Sequence, residues 1–406
     1  MKRRDFCRLG IMGLPVLGAC RLGDDPDGSV TEAQPTVPLS GIFWIKGMPI
    51  PTFTNTASDR HAGFDALVEA MGEQGLPFYR SGTTGRRQGP RGLIDRDDVV
   101  LIKVNAQWKY RGCTNSDLVR GIIRSILDHP DGFIGEVVII ENGQGRGSLN
   151  CDTAFEYEDD RVHANAEDGA HSFLFLVNRV FADARVGARL LDSIRTRFIG
   201  PEVHDVEGYR SFENVSYPCF NTPSGQRVEL REGIWTGTTH RQNLKLINVP
   251  VLKHHGGSEW TASLKHMYGV LSMGDGQIRF RHYSGLGETC GKMFVSVRQP
   301  VLNILDATWV AHASLKGFPE DATTRMNQIL ASQDPVALDY WAAKHILHPI
   351  DGDPRHDPDF ERVRGWLDDA MRIINDAGGL FNASRQSHEF VTRHEEEISV
   401  FVRELG

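Results

Sequence analysis

Asp98-Val-Val-Leu-Ile-Lys-Val-Asn105, then Asn115-Ser-Asp117, then Glu136-Val-Val-Ile-Ile140: these three pieces decide the fold. The two apolar runs have the length and β-branched content of strands buried on both faces. Between them, Asn115 opens a segment in which Leu118, Ile122, Ile126 and Leu127 fall on one helical face. Strand, helix, strand in this order predicts a parallel α/β unit, whose functional groups gather where the strands end. The second strand runs into Glu141-Asn-Gly-Gln-Gly-Arg-Gly147, a glycine spacing that does not fit a dinucleotide-binding turn.

Further strands are predicted at Gly41–Ile45, Leu244–Val251 and Val301–Asp306, and a shorter one at Pro77–Tyr79. Phe64, Leu67, Val68 and Met71 mark a helix, as do Val336–Leu347 and Phe360–Ile374. Phe173–Phe181 and Ala188–Phe198 are expected to be helical, and the Thr-, Val- and aromatic-rich stretch 202–240 to be β-structure. The fold class is therefore α/β: a mostly parallel central sheet flanked by helices, with a β-rich insertion at about 152–241. The single domain is expected to span 41–385, followed by a helical tail over 386–406. The Gly/Arg loop Arg80–Arg91 reads either as solvated surface or as an anion cradle.

Composition sets outer bounds. The 406 residues are 40% hydrophobic and 24% charged, as in a folded globular protein. A net charge of −8 argues against a nucleic-acid partner. Six cysteines at 7, 20, 113, 151, 219 and 290 contain no C-x-x-C, so no iron–sulfur cluster is expected from this chain alone.

The N-terminus carries an address. Arg3-Arg4-x-Phe6 followed by a short apolar stretch resembles a twin-arginine export signal over residues 1–19, too short to span a bilayer. Leu17-Gly-Ala-Cys20 resembles a lipobox, which makes Cys20 the lipidation site and 20–40 a flexible tether rich in Asp, Gly, Pro and Thr. The resemblance implies passage through the twin-arginine machinery and a periplasmic or cell-surface location, lipid-anchored in a membrane. Loss of residues 1–19 removes a net +3, taking −8 to −11. Export also permits disulfides, with three pairings open among Cys113, Cys151, Cys219 and Cys290.

Polar groups follow the apolar strands in four places: Lys103-Val-Asn105, Lys253-His-His255 with Lys265-His266, Asp306, and Ser332-Gln-Asp334 leading to Asp339. The motifs I-K-V-N, V-P-V-L-K-H-H with S-L-K-H-M-Y-G, L-N-I-L-D and A-S-Q-D-P-V-A-L-D resemble, in that order, the domain of unknown function 362 family. The resemblance covers roughly residues 97–347 and implies a fold and a set of pocket residues without a settled reaction. Some members carry a ferredoxin module, which this chain lacks.

Lysines at strand ends need a carboxylate or an anionic ligand. Either Lys103, Lys253 and Lys265 pair with Asp306, Asp334 and Asp339 to lock the strands, or they clamp a small anionic substrate together with Asn105 and Ser332. In the second reading His254, His255, Asp334 and Asp339 are the acid/base candidates. His254 and His255 are adjacent, so on a strand only one faces a given pocket. A divalent metal held by His254 and Asp306 is a further option. The function expected is an exported enzyme acting on a small anionic or metal-bound molecule. The alternatives are a non-catalytic metal- or metabolite-binding lipoprotein and a redox accessory protein with an iron–sulfur partner.

Overall fold

The computed structural model describes residues 35–52, 59–152, 161–182 and 184–406. The export residues Arg3 and Arg4 and the lipidation residue Cys20 lie outside them. Among the described residues no helix is long and apolar enough to cross a membrane.

The central sheet is built from β1 (Gly41–Lys46), β2 (Val99–Val104), β3 (Glu136–Glu141) and β4 (Val186–Leu190). An antiparallel five-stranded sheet follows: β5 (Gly208–Phe212), β6 (Val215–Asn221), β7 (Arg227–Glu229), β8 (Gly233–Trp235) and β9 (His240–Arg241). The chain then returns to the central sheet through β10 (Leu244–Val249), β11 (Val251–His255), β12 (Glu259–Thr261), β13 (Leu302–Ala311), β14 (Thr324–Ser332) and β15 (Ser399–Glu404). The order across the central sheet is β15-β1-β14-β13-β10-β2-β3-β4, with β11 beside β13 and β12 beside β11. Pairing is parallel from β13 through β10, β2 and β3 to β4, and antiparallel where β14 meets β13 and β1.

Alternation along β2 shows why this sheet is covered on both faces. Val99 and Leu101 enter one apolar layer, and Val100, Ile102 and Val104 enter the other. Side chains of a strand point to opposite faces in turn, so a run without polar interruption must be buried twice. Helices α1 (Ala62–Glu73) and α2 (Ser116–Leu127) cover one layer. On the other lie α3 (Ser263–Tyr268), α4 (Leu286–Lys292), α5 (Pro335–Ala342) and α6 (Glu361–Asp376). The cap read from the sequence is present: the Asn115 side chain accepts the Leu118 N–H at 2.9 Å.

Several expectations are corrected. Ala188–Phe198 is not one helix: Val186–Leu190 is a strand parallel to β3, with Val186, Ala188 and Leu190 alternating toward the core, and only Leu191–Ile194 forms a short 3-10 helix. The β-rich insertion is interrupted by that strand, and its own sheet begins at Gly208. Pro77–Tyr79 yields only a two-residue strand, Tyr79–Arg80. The 386–406 tail is not helical either. Its last segment, β15, runs parallel to β1, and Phe401 stacks on Phe43 with ring centroids 5.2 Å apart. Val400 and Val402 are β-branched and favour a pleated surface. At the other end the folded body starts before residue 41. Val37 and Leu39 are buried, and their N–H groups donate to Ser384 Oγ at 3.1 Å and Glu389 Oε2 at 2.9 Å.

Candidate functional site

One row of polar residues crosses the sheet. Strand register sets Ser332 on β14 beside Asn303 on β13, Asn303 beside Asn248 on β10, and Asn248 beside Lys103 on β2. Asn303 Nδ2 donates to Ser332 O at 3.2 Å, and Asn248 Nδ2 donates to Asn303 Oδ1 at 2.9 Å. Buried polar groups persist when each finds a partner, and this row satisfies that condition strand by strand.

The row ends at Lys103. Its ammonium forms a buried ion pair with Glu141 at the end of β3, donates to Val104 O at 2.8 Å and lies 3.1 Å from His266 Nε2. A lysine ammonium only donates, so His266 Nε2 accepts and its Nδ1–H donates to Asn248 Oδ1 at 2.7 Å. Burial, reinforced by the Lys103 charge, holds His266 well below the usual imidazole range and therefore neutral. Burial also lowers Lys103 and raises Glu141 to about 7, while their mutual attraction opposes both shifts.

Lys253 and Lys265 have no such counter-charge. Lys253, on β11, donates to Gly112 O and, at 3.3 Å, to Asn105 Oδ1. Burial lowers its pKa to about 7. Lys265, in the first turn of α3, is lowered to about 8 by burial and by Lys103. Among the described residues neither lysine pairs with a carboxylate. His255 accepts the Gly257 N–H at 3.0 Å through Nδ1, which leaves Nε2 as the protonated nitrogen. His282, lowered to about 4 by burial, has an Nε2 with no hydrogen-bond partner among the described residues and stacks on Tyr268 with centroids 5.3 Å apart.

These groups line one cavity of about 600 Å³ at the C-terminal ends of β2 and β3. Among the described residues its wall carries five cations, Lys103, Lys253, Lys265, Arg146 and Arg279, and one carboxylate, that of Glu141. In a chain of net charge −8, that is a strong local reversal of sign. Low-dielectric walls focus such a field, and an anion entering it would restore the charge that burial removes from Lys253 and Lys265.

Of the residues expected in a pocket, Lys103, Asn105, Lys253, Lys265 and His255 converge here. The other candidates are engaged elsewhere. Asp334 caps α5, accepting the N–H groups of Val336, Ala337 and Thr392 at 2.8, 3.0 and 2.9 Å. Asp339 accepts those of Ser263 and Leu264 at 2.7 and 3.0 Å, so it anchors the start of the helix that presents Lys265 and His266. Burial pushes both carboxyls up to about 7, and the backbone donors oppose it. Ser332 Oγ sits between Leu39 O and the Asp334 N–H.

The expected metal pair does not share a site. Asp306 accepts from the N–H groups of Asn115 and Thr308 at 2.8 and 2.9 Å, while His254 Nδ1 lies 2.9 Å from His356 Nε2. The Lys–Asp strand locks are likewise not made, because buried aspartates take backbone donors first. Two other groups of metal-ligating residue types occur among the described residues, His204/Glu229/His240 and Asp351/Asp353/His356. Each already holds an arginine, Arg210 on Glu229 and Arg355 on Asp353.

Glu141, Tyr268 and Arg146 were not singled out by sequence. Glu141 could have been found by the rule that selected Lys103, since it directly follows a buried strand.

Fold and site together define an α/β protein with a buried lysine–histidine cavity at the strand ends. Over residues 219–344 the chain matches the family model "Domain of unknown function (DUF362)", which bears out the resemblance read from its motifs. That stretch contains Lys253, His255, Lys265 and His266; Lys103, Asn105 and Glu141 precede it. No curated protein and no solved structure matches the chain.

Proposed function

We propose that the protein is an enzyme acting on a small molecule with two or more negative charges, carboxylate or phosphate, bound in the lysine–histidine cavity. The observation that carries this reading is the pair of inward lysines, Lys253 and Lys265, that no described carboxylate neutralises. Lys265 and the rim arginines Arg146 and Arg279 act as the electrostatic clamp. Asn105 and the protonated Nε2 of His255 orient the ligand. Lys253, with a pKa near 7, is suited to exchange a proton with it at neutral pH. The Glu141–Lys103–His266 unit fixes the floor on which that exchange occurs. The same proposal has the body exported by the twin-arginine route and tethered through an acylated Cys20, a reading supported by the N-terminal motifs.

The pH dependence follows with a definite sign. Both lysines titrate below their unfolded value, so the unfolded chain binds more protons between about 7 and 10.5. These two groups therefore make the unliganded protein more stable as pH rises from 7, while an anion binds most tightly where they are charged. Calorimetric titration with oxalate or sulfate, which keep two charges throughout, is expected to give a saturable site at about pH 6 that weakens at least about tenfold by about pH 9. Affinity independent of pH, or absent at the lower value, would remove the basis of the proposal.

A further inference from the structure

We propose that Cys113 and Cys151 are a disulfide pair that clamps the segment walling the cavity. The structure chooses among the pairings that the sequence leaves open. Cys113 and Cys151 lie in one apolar layer of the sheet, and Cys219 and Cys290 lie in the other. A central sheet thus separates the two sets.

Backbone bonds bring the first pair together. His163 bridges their segments, accepting the Tyr110 N–H at 2.6 Å and donating its own N–H to Cys151 O at 2.9 Å. Asn165 holds the other side of Cys113: its Nδ2 donates to Cys113 O at 2.9 Å, and its carbonyl accepts the Ser116 N–H at 2.9 Å. Cys113 Sγ donates to Tyr110 O at 3.1 Å, and the two thiols come into contact close enough to shift each other's ionisation. That contact, with help from the Lys253 charge, lowers the Cys113 pKa and raises that of Cys151, so Cys113 is the attacking sulfur.

The reaction is thiol–disulfide exchange with a low-molecular-weight disulfide such as oxidised glutathione. The Cys113 thiolate attacks one sulfur of the oxidant and releases one thiol. Cys151 then attacks the mixed disulfide and releases the second. Two electrons pass to the oxidant, and the two protons of the cysteines go to its leaving thiolates. Both thiols are almost fully buried, at 0% and 1% exposed, so exchange takes place while the chain folds or opens locally.

The consequence for the cavity is direct. Cys113 follows Gly112, whose carbonyl accepts from Lys253, and Thr114 exchanges hydrogen bonds with Asn105. A cross-link at Cys113 therefore holds the carbonyl and the amide that position Lys253. The cross-link itself does not depend on what the cavity binds.

The test is to unfold the full chain, refold it in a glutathione redox buffer, alkylate it and map its peptides without reduction. The expected product links Cys113 to Cys151 and leaves Cys219 and Cys290 alkylated, with a thermal midpoint several degrees above that of the reduced protein. A Cys219→Ser variant should give the same link, whereas Cys151→Ser should leave Cys113 unlinked within the body. A different pairing, or four alkylated body cysteines in protein with native circular dichroism, overturns the proposal.

Discussion

Lys265→Met is expected to weaken oxalate binding by about 10- to 100-fold while raising the thermal midpoint of the unliganded protein. The affinity loss follows from removing a charge-assisted hydrogen bond to an anion, worth about 1.5–3 kcal/mol. The gain in stability follows from the same residue seen without its ligand. Its ammonium is desolvated, faces Lys103 and meets no described carboxylate, so an apolar chain of similar length relieves repulsion. Opposite signs for binding and stability mark a residue kept for its ligand. A fall in the midpoint with unchanged oxalate affinity would make Lys265 a structural residue.

Glu141→Gln should be the most destabilising single change at the site, by about 3–5 kcal/mol in urea unfolding. Among the described residues Glu141 is the one carboxylate that lines the cavity, and it forms a buried ion pair with Lys103. Removing its charge leaves the Lys103 ammonium buried beside Val104 O and a neutral imidazole. Lys103 cannot turn to solvent, because it is 1% exposed within a strand hydrogen-bonded on both sides. Adding Lys103→Met to Glu141→Gln removes the stranded charge and is expected to recover much of the loss, though not oxalate binding. A single substitution no worse than a surface change would show that Lys103 is neutral in the folded protein.

Much of this site was legible because strand ends announce themselves. Lys103 and Asn105 close a four-residue apolar run, and Lys253 follows another, so topology alone carried them to the same edge. The adjacency of His254 and His255 correctly required that they diverge. Only His255 lines the cavity, and His254 turns to His356. The aspartates misled for a physical reason. A buried carboxylate after a strand or before a helix can meet a lysine or a set of free backbone donors, and sequence does not rank the two. Asp306, Asp334 and Asp339 all took backbone donors, and Lys103 paired with Glu141 instead.

The fold was read most accurately where burial on both faces erased polar interruptions, as in residues 99–102 of β2 and 137–140 of β3. It was misread where a strand sits at the margin of the sheet. Val186–Leu190 and Ser399–Glu404 are half-covered, so their apolar residues are sparse and mix with arginine and glutamate in a way that also suits a helix. The asparagines of β10 and β13 carried a signal of their own. Asn248 and Asn303 interrupt runs that otherwise read as core strands, and register aligns both with Lys103.

A crystal structure of the protein soaked with pyrophosphate tests the central claim most directly. The account predicts the anion between Lys253 and Lys265, within hydrogen-bonding reach of both ammonium groups, with Arg146 or Arg279 closing over it. A cavity filled only by water, or pyrophosphate bound elsewhere while Lys253 and Lys265 stay unliganded, would contradict it.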